Sequence, residues 1–319
     1  MSLPRYSDLP RPPGETLPLA WNLWQAGDQV GMWNNVTPQV VVEAARLIRS
    51  GRRFNLNLPL HIPLGLLPDG AHAVRRGPIH TIYRFDGSEV MGMDDKLEFH
   101  PQASTQWDGL THVGDGRHGF YNGVQPRDVT QKDGTPNGID KIAEFGIATR
   151  AVLVDLPSHF QSTGRNWRVD GSEIATAADI AACLARTGQS LKPGDVLLVR
   201  TGWLEAFRGA HEATRYKLFH GRDYSGLSGA EDMWEFLWDH RVAAVASDSV
   251  TVEVFPMAPG KPSLHLAIAR LGLTLGELFD LDDLARYAIA SKTYDFFFAA
   301  MPLNVRGGVG SPANAIAIA

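Results

Sequence analysis

The stretch "GDVLLVRTGW", Gly194–Trp203, decides the fold class. Its apolar run is continuous instead of alternating, as in a strand buried on both faces. The "KPGD" around its start is a turn signal. "RAVLVDL", Arg150–Leu156, has the same character. Between the two, "EIATAADIAACLARTG" repeats apolar residues at helical spacing and stops at Gly188. "VAAVASDS", Val242–Ser249, reads as a further buried strand ending in polar residues. Apolar strands alternating with helices predict a mixed α/β domain.

Working outward, "TPQVVVEAARLIRSG" predicts a helix with Thr37 as cap, Pro38 in the first turn and Gly51 at its end. "RFNLNLPL" alternates with period two, as a half-buried strand does. "TYDFFFAAMPLNV" supplies one or two more strands, with Pro302 at an edge or a bend. "GAEDMWEFLWDHRV" carries an aromatic group that suits a core or a subunit interface. The proline-rich start lacks an apolar signal core, so residues 1–20 read as an extended arm. Residues 21–319 then form one α/β domain.

Composition excludes several functions. The 319 residues carry a net charge of −5, with no basic stripe for nucleic acid. No apolar run approaches the roughly 20 residues of a membrane span. The single cysteine, Cys183, cannot form an intrachain disulfide, which points to a reducing, cytoplasmic setting.

Two polar constellations stand out. In "QASTQWDG" an extended backbone puts Gln102, Ser104, Gln106 and Asp108 on one face and Trp107 on the other. His112 follows four residues after Asp108, beyond a possible bend at Gly109. Carboxylate, amide and imidazole can thus converge, although Asp108 could instead cap a turn and His112 sit hydrogen-bonded in the core. Far downstream, "SLHLAIARLGLTLGELFDLDDLARY" predicts a helix through His265 ending near Gly272. A second helix is predicted from Thr274, where Thr-x-x-Glu makes Glu277 part of a capping box.

Together the two constellations resemble the cyclase family of metal-dependent hydrolases, which includes kynurenine formamidase-like and isatin hydrolase-like members. That family's pattern is His-x-x-x-His-x-Asp-x-x-x-His, then a distant His and a Glu twelve positions later. The early motif falls on Gln102, Gln106, Asp108 and His112, and the late pair on His265 and Glu277. "DQVGMWNNVTPQVVVEAARLIRSG", "GDVLLVRTGW", "ASDSV" and "GGVGSPANAIAIA" are similar to the family as well. The resemblance implies a swivelling β/β/α fold, with mixed sheet and flanking helices, assembled as a homodimer or homotetramer whose neighbouring subunits complete the pocket.

Two of the family's ligand histidines are glutamines here. Glutamine offers only a neutral carbonyl oxygen, which binds transition metals more weakly than imidazole. The resemblance therefore implies one divalent ion, Zn²⁺ or Mn²⁺, or none, held by Asp108, His265 and Glu277 with help from Gln106. It implies His112 as the general base in hydrolysis of a C–N bond of an amide, formamide or cyclic amide, or of a lactone. The alternative is a metal-free, catalytically silent binder of small molecules on the same fold. Trp24, Trp33, Phe120 and Tyr121 are candidate walls for a planar substrate.

Overall fold

A computed structural model describes residues 3–67, 75–131, 134–257 and 259–319. One nine-stranded mixed sheet organises the molecule. Its order is Arg53–Asn55, Ala315–Ile318, Asp295–Ala300, Ile147–Asp155, Val196–Arg200, Ala244–Ser247, Thr274–Glu277, Gln106–Asp108 and Gly310–Pro312. The four strands from Ile147–Asp155 to Thr274–Glu277 are mutually parallel and form the centre. The continuous apolar runs lie here because both faces are covered: every residue of Val196–Arg200 and of Ala244–Ser247 is buried.

Helices flank the sheet. Ala177–Arg186 begins at Thr176, which exchanges hydrogen bonds with Asp179 in a capping box. Glu231–Asp239 buries Met233, Trp234, Leu237 and Trp238 in the same core cluster as that helix's Ile180, Cys183 and Leu184. The opposite core holds Trp33, Trp107, Phe279, Phe296 and Phe298.

Several elements are shorter than the periodicity suggests. The helix after Thr37 spans Pro38–Ala45 and does not reach Gly51. Tight turns follow it, and the chain is then held by Ser50 and Gly51 amides on the Ala319 carbonyl. The strand at Arg53 ends at Asn55, because Asn57 turns its side chain to the backbone of Ala315. Residues 295–300 are an interior strand, and Pro302 follows its end.

The largest revision concerns Thr274–Glu277, which is a strand and not a helical first turn. It pairs in parallel with Ala244–Ser247 and antiparallel with Gln106–Asp108. Thr274 accepts a hydrogen bond from the Trp33 indole at 2.9 Å instead of capping a helix. Sheet pairing on both sides outweighs a four-residue capping pattern.

The N-terminal arm lies against the domain. Tyr6 and Leu9 are buried, and the Tyr6 amide donates to Asp239. Arg270 ties the arm down, holding Glu15 and Asp115 together.

Candidate active site

Antiparallel register creates the site. Glu277 lies opposite Gln106, Gly276 opposite Trp107 and Leu275 opposite Asp108. Strand alternation then puts Gln106, Asp108 and Glu277 on one face. Trp107 points to the other face, where its ring stands edge-on to Phe279 at 4.9 Å. Gly276 is required by this packing: a β-carbon there would come within 2.7 Å of the Trp107 and Phe279 rings.

His265 arrives from another direction. It caps the short helix Leu266–Leu271, which ends at left-handed Gly272 as the sequence predicts. Its Nε2 lies 3.2 Å from Glu277 Oε1 and 3.7 Å from Asp108 Oδ2. One ligand atom each from Asp108, His265 and Glu277 falls within 4.8 Å of the others. The two distant sequence constellations thus meet.

The electrostatics are unbalanced. Asp108 is fully buried, and neither of its oxygens has a hydrogen-bond partner among the described residues. Burial, with the Glu277 charge added, pushes its pKa up to about 8. Burial alone would depress His265, but hydrogen bonds to Glu253 and Glu277 and the Asp108 charge raise it well above the ordinary value. An orphaned carboxylate beside a second carboxylate and an imidazole is a donor set that fits a divalent cation.

Glu253 is the residue that sequence reading missed. It is buried, and its Oε1 lies 2.7 Å from His265 Nδ1. It also accepts from the Ser263 hydroxyl at 2.5 Å and from the Leu264 amide. Burial works to raise its pKa, but these donors hold it below the ordinary value. By occupying Nδ1 it leaves Nε2 of His265 turned to the acid pair, the arrangement that orients a metal-binding histidine. No local motif marks Glu253, because its partner is twelve residues away across an irregular loop.

The two glutamines support the cluster from the side. Gln106 Nε2 donates to Glu277 Oε2, so this amide orients a candidate ligand, while its Oε1 is buried without a hydrogen-bond partner among the described residues. Gln102 Nε2 lies 2.7 Å from His112 Nδ1, and His112 Nε2 lies 3.5 Å from Asp108 Oδ1. Burial lowers the His112 pKa to about 4, so the ring is neutral near pH 7. With the amide nitrogen as donor, Nδ1 accepts and the ring proton sits on Nε2.

A cavity of about 560 Å³ opens at this centre, with Glu277 and Gln102 in its wall. Its aromatic surfaces are Phe219, Tyr224 and Phe255. The aromatic residues chosen from sequence lie elsewhere. Trp24 packs edge-on against Trp238 at 5.8 Å. Tyr121 and Trp33 are sealed from solvent, and the Tyr121 hydroxyl donates to Asp28 at 2.9 Å. Phe120 is half-buried in the glycine-rich turn, beside Gly114. None of the four lines the cavity.

Comparison with known proteins accords with this geometry. The Cyclase family model, described as "Putative cyclase", matches residues 21–254. The chain belongs to the Cyclase family. A crystal structure of a novel cyclase superposes with a TM-score of 0.81 at 31% identity, covering 94% of this chain and 99% of that one. Isatin hydrolase A from Labrenzia aggregata, bound to benzyl benzoate, has a TM-score of 0.58 at 15% identity, covering 88% and 97%. Isatin hydrolase A from Ralstonia solanacearum has a TM-score of 0.56 at 18% identity, covering 88% and 98%. At such identities the two hydrolases share the fold with this Cyclase family member. No curated protein sequence matches the chain. Among the described residues no helix is long and apolar enough to cross a membrane.

Proposed function

We propose that this protein is a metal-assisted hydrolase of a C–N bond in an amide, formamide or cyclic amide, or of a lactone. One observation carries the reading: Asp108, buried and without a hydrogen-bond partner, stands beside His265 and Glu277 next to the cavity. Asp108, His265 and Glu277 would hold one divalent ion, Zn²⁺ or Mn²⁺. Such an ion polarises a carbonyl and acidifies water.

The chain's own residues supply the rest. Glu253 fixes the His265 ring, and Gln106 fixes the Glu277 carboxylate. His112 is the proton carrier. It takes a proton from the attacking water and returns it to the leaving nitrogen or oxygen, so water adds across the bond as acid and amine or alcohol. To accept first, Nε2 must be free, which requires Gln102 to present its carbonyl oxygen to Nδ1–H. A half-turn of the Gln102 amide gives Nδ1–H its acceptor, while the ring proton leaves Nε2 and another joins Nδ1 through solvent exchange. The low pKa keeps His112 neutral and competent at pH 7. The reading also retains a homodimer or homotetramer, which rests on the family resemblance, and a cytoplasmic setting, which accords with the buried free thiol of Cys183.

The test is a hydrolysis screen over formamides, cyclic amides and lactones with zinc- or manganese-loaded protein. His112→Ala is expected to lower kcat by about 10²–10⁴-fold while metal affinity changes by only a few-fold. Parallel loss of metal and activity would remove His112 from the proton-carrying role. Absence of turnover with every class, in fully loaded protein, would favour the silent binder.

A further inference from the structure

The cavity wall carries two arginines, Arg75 and Arg222; Arg75 bonds the Gln102 carbonyl, and its charge reaches Asp108 and His112. The buried arginines among the described residues are matched to carboxylates, Arg150 to Asp195 and Asp295, Arg200 to Asp155 and Asp282, and Arg270 to Asp115 and Glu15, whereas Arg222 is exposed at the cavity. Arg222 makes no ion pair with any described residue. Its guanidinium stands 5.4 Å from the centre of the Phe255 ring, a cavity surface. Arg222 follows the Gly221 cap of the Glu212–His220 helix with a left-handed backbone, φ 57°, as Lys292 and Arg241 do at the ends of their helices. Arg75 spends one nitrogen on the Gln102 carbonyl and forms no ion pair with a described carboxylate.

The cavity is therefore bipolar. Glu277, with Asp108 behind it, makes one end acidic and able to hold a cation. Arg222 and Arg75 add positive charge to the wall, and Phe219, Tyr224 and Phe255 add flat apolar surface. A guanidinium beside an aromatic face is suited to a planar carboxylate, which it meets through paired N–H donors. We propose that Arg222, assisted by Arg75, binds a carboxylate of the substrate, and that the substrate class is an aryl amide or lactone bearing that anion away from the scissile bond. The assignment rests on the hydrolase reading for its scissile bond, but the anion site stands on the arginines alone.

The experiment uses full-length zinc-loaded protein and three probes of one shape: 4-formamidobenzoate, neutral formanilide and cationic 4-formamidobenzylamine. Calorimetry reads binding, and release of the amine reads turnover. The expected order is anion, neutral, cation, with about 10- to 100-fold between the first two, the range of a charge-assisted contact. Arg222→Gln should collapse the anion-to-neutral ratio toward 1, and Arg222→Lys should restore part of it. Arg222 is exposed, so both variants are expected to fold. Equal affinity for the three probes, or a ratio unmoved by Arg222→Gln, overturns the anion site. Binding of 4-formamidobenzoate that depends on Arg222, without turnover of any probe, leaves the anion site standing and removes aryl formamides from the hydrolase reading. Turnover of all three with one affinity does the reverse.

Discussion

Two buried acid networks lie in this sheet, and they are balanced differently. In one, Arg200 sits among carboxylates: Nε is 2.9 Å from Asp282, Nη1 is 3.1 Å from Asp155, and Nη2 reaches Glu205. In the other, Asp108, Glu277 and Glu253 surround one imidazole, and both Asp108 oxygens lack partners among the described residues. The first network carries its cation in its own sequence. The second has only the His265 imidazole, raised in pKa by its acids but making no hydrogen bond to Asp108, and a buried carboxylate without hydrogen bonds is costly enough to demand compensation. The comparison teaches that the acid cluster is built around a charge brought from outside.

The same Asp-to-Asn change should act oppositely in the two networks. Asp155→Asn removes one of the carboxylates around Arg200, which keeps Asp282 and Glu205, and is expected to lower stability by about 1.5–3 kcal/mol, the range for a hydrogen bond to a charged group. Asp108→Asn in chelator-treated protein replaces a carboxyl that burial already keeps largely protonated below pH 8, and is expected to leave stability unchanged or higher. Denaturant midpoints of the two variants decide the matter. A large destabilisation by Asp108→Asn without metal would mean that Asp108 is already satisfied.

Glu253→Gln tests the support of the imidazole. A neutral amide still accepts from Nδ1–H but donates less charge to the ring. Metal affinity is expected to fall about 10- to 100-fold, as for other outer partners of metal-binding histidines. Calorimetric titration with Zn²⁺ reads it. Unaltered affinity would reduce Glu253 to a packing residue.

The smallest effect concerns pH. In metal-free protein the Asp108 pKa is raised to about 8, so the folded state holds a proton that the unfolded chain has released. That stabilisation is complete below the unfolded pKa and is lost as pH rises through 8. His112, lowered to about 4, acts with the opposite sign, but only up to its ordinary value of 6.5. Between pH 6.5 and 8, then, metal-free protein should lose stability, by at most about 1.4 kcal/mol per pH unit for one proton. His265, also raised, adds to the loss in the same direction. Metal-loaded protein should not show it. Thermal midpoints across that window, with and without chelator, separate the two.

Much of the fold is legible in the sequence because its central strands are apolar on both faces, as in "RAVLVDL" and "GDVLLVRTGW". The alternation that puts Asp108 and Gln106 opposite Trp107 was legible because an extended backbone turns successive side chains to opposite faces. Thr274–Glu277 was not, because a capping pattern is local and the pairing that overrides it comes from residues more than 160 positions away. The site was legible only as a resemblance: each residue had an ordinary structural explanation within its own segment. "ASDSV" belongs to the family likeness yet has a structural job here. Its Asp248 accepts from the Thr201 amide at 2.6 Å and the Gly202 amide at 2.9 Å, tying adjacent strand ends together. Glu253 and Arg222 left no signature, since their roles depend on a neighbour's position and on a missing partner.

The claim that the acid cluster awaits a cation is tested most directly by metal content. Elemental analysis of purified protein, before and after Asp108→Ala, should give about one equivalent of zinc or manganese per chain and then almost none. Protein that stays metal-free after incubation with both ions, or a variant that retains its metal, would contradict the account.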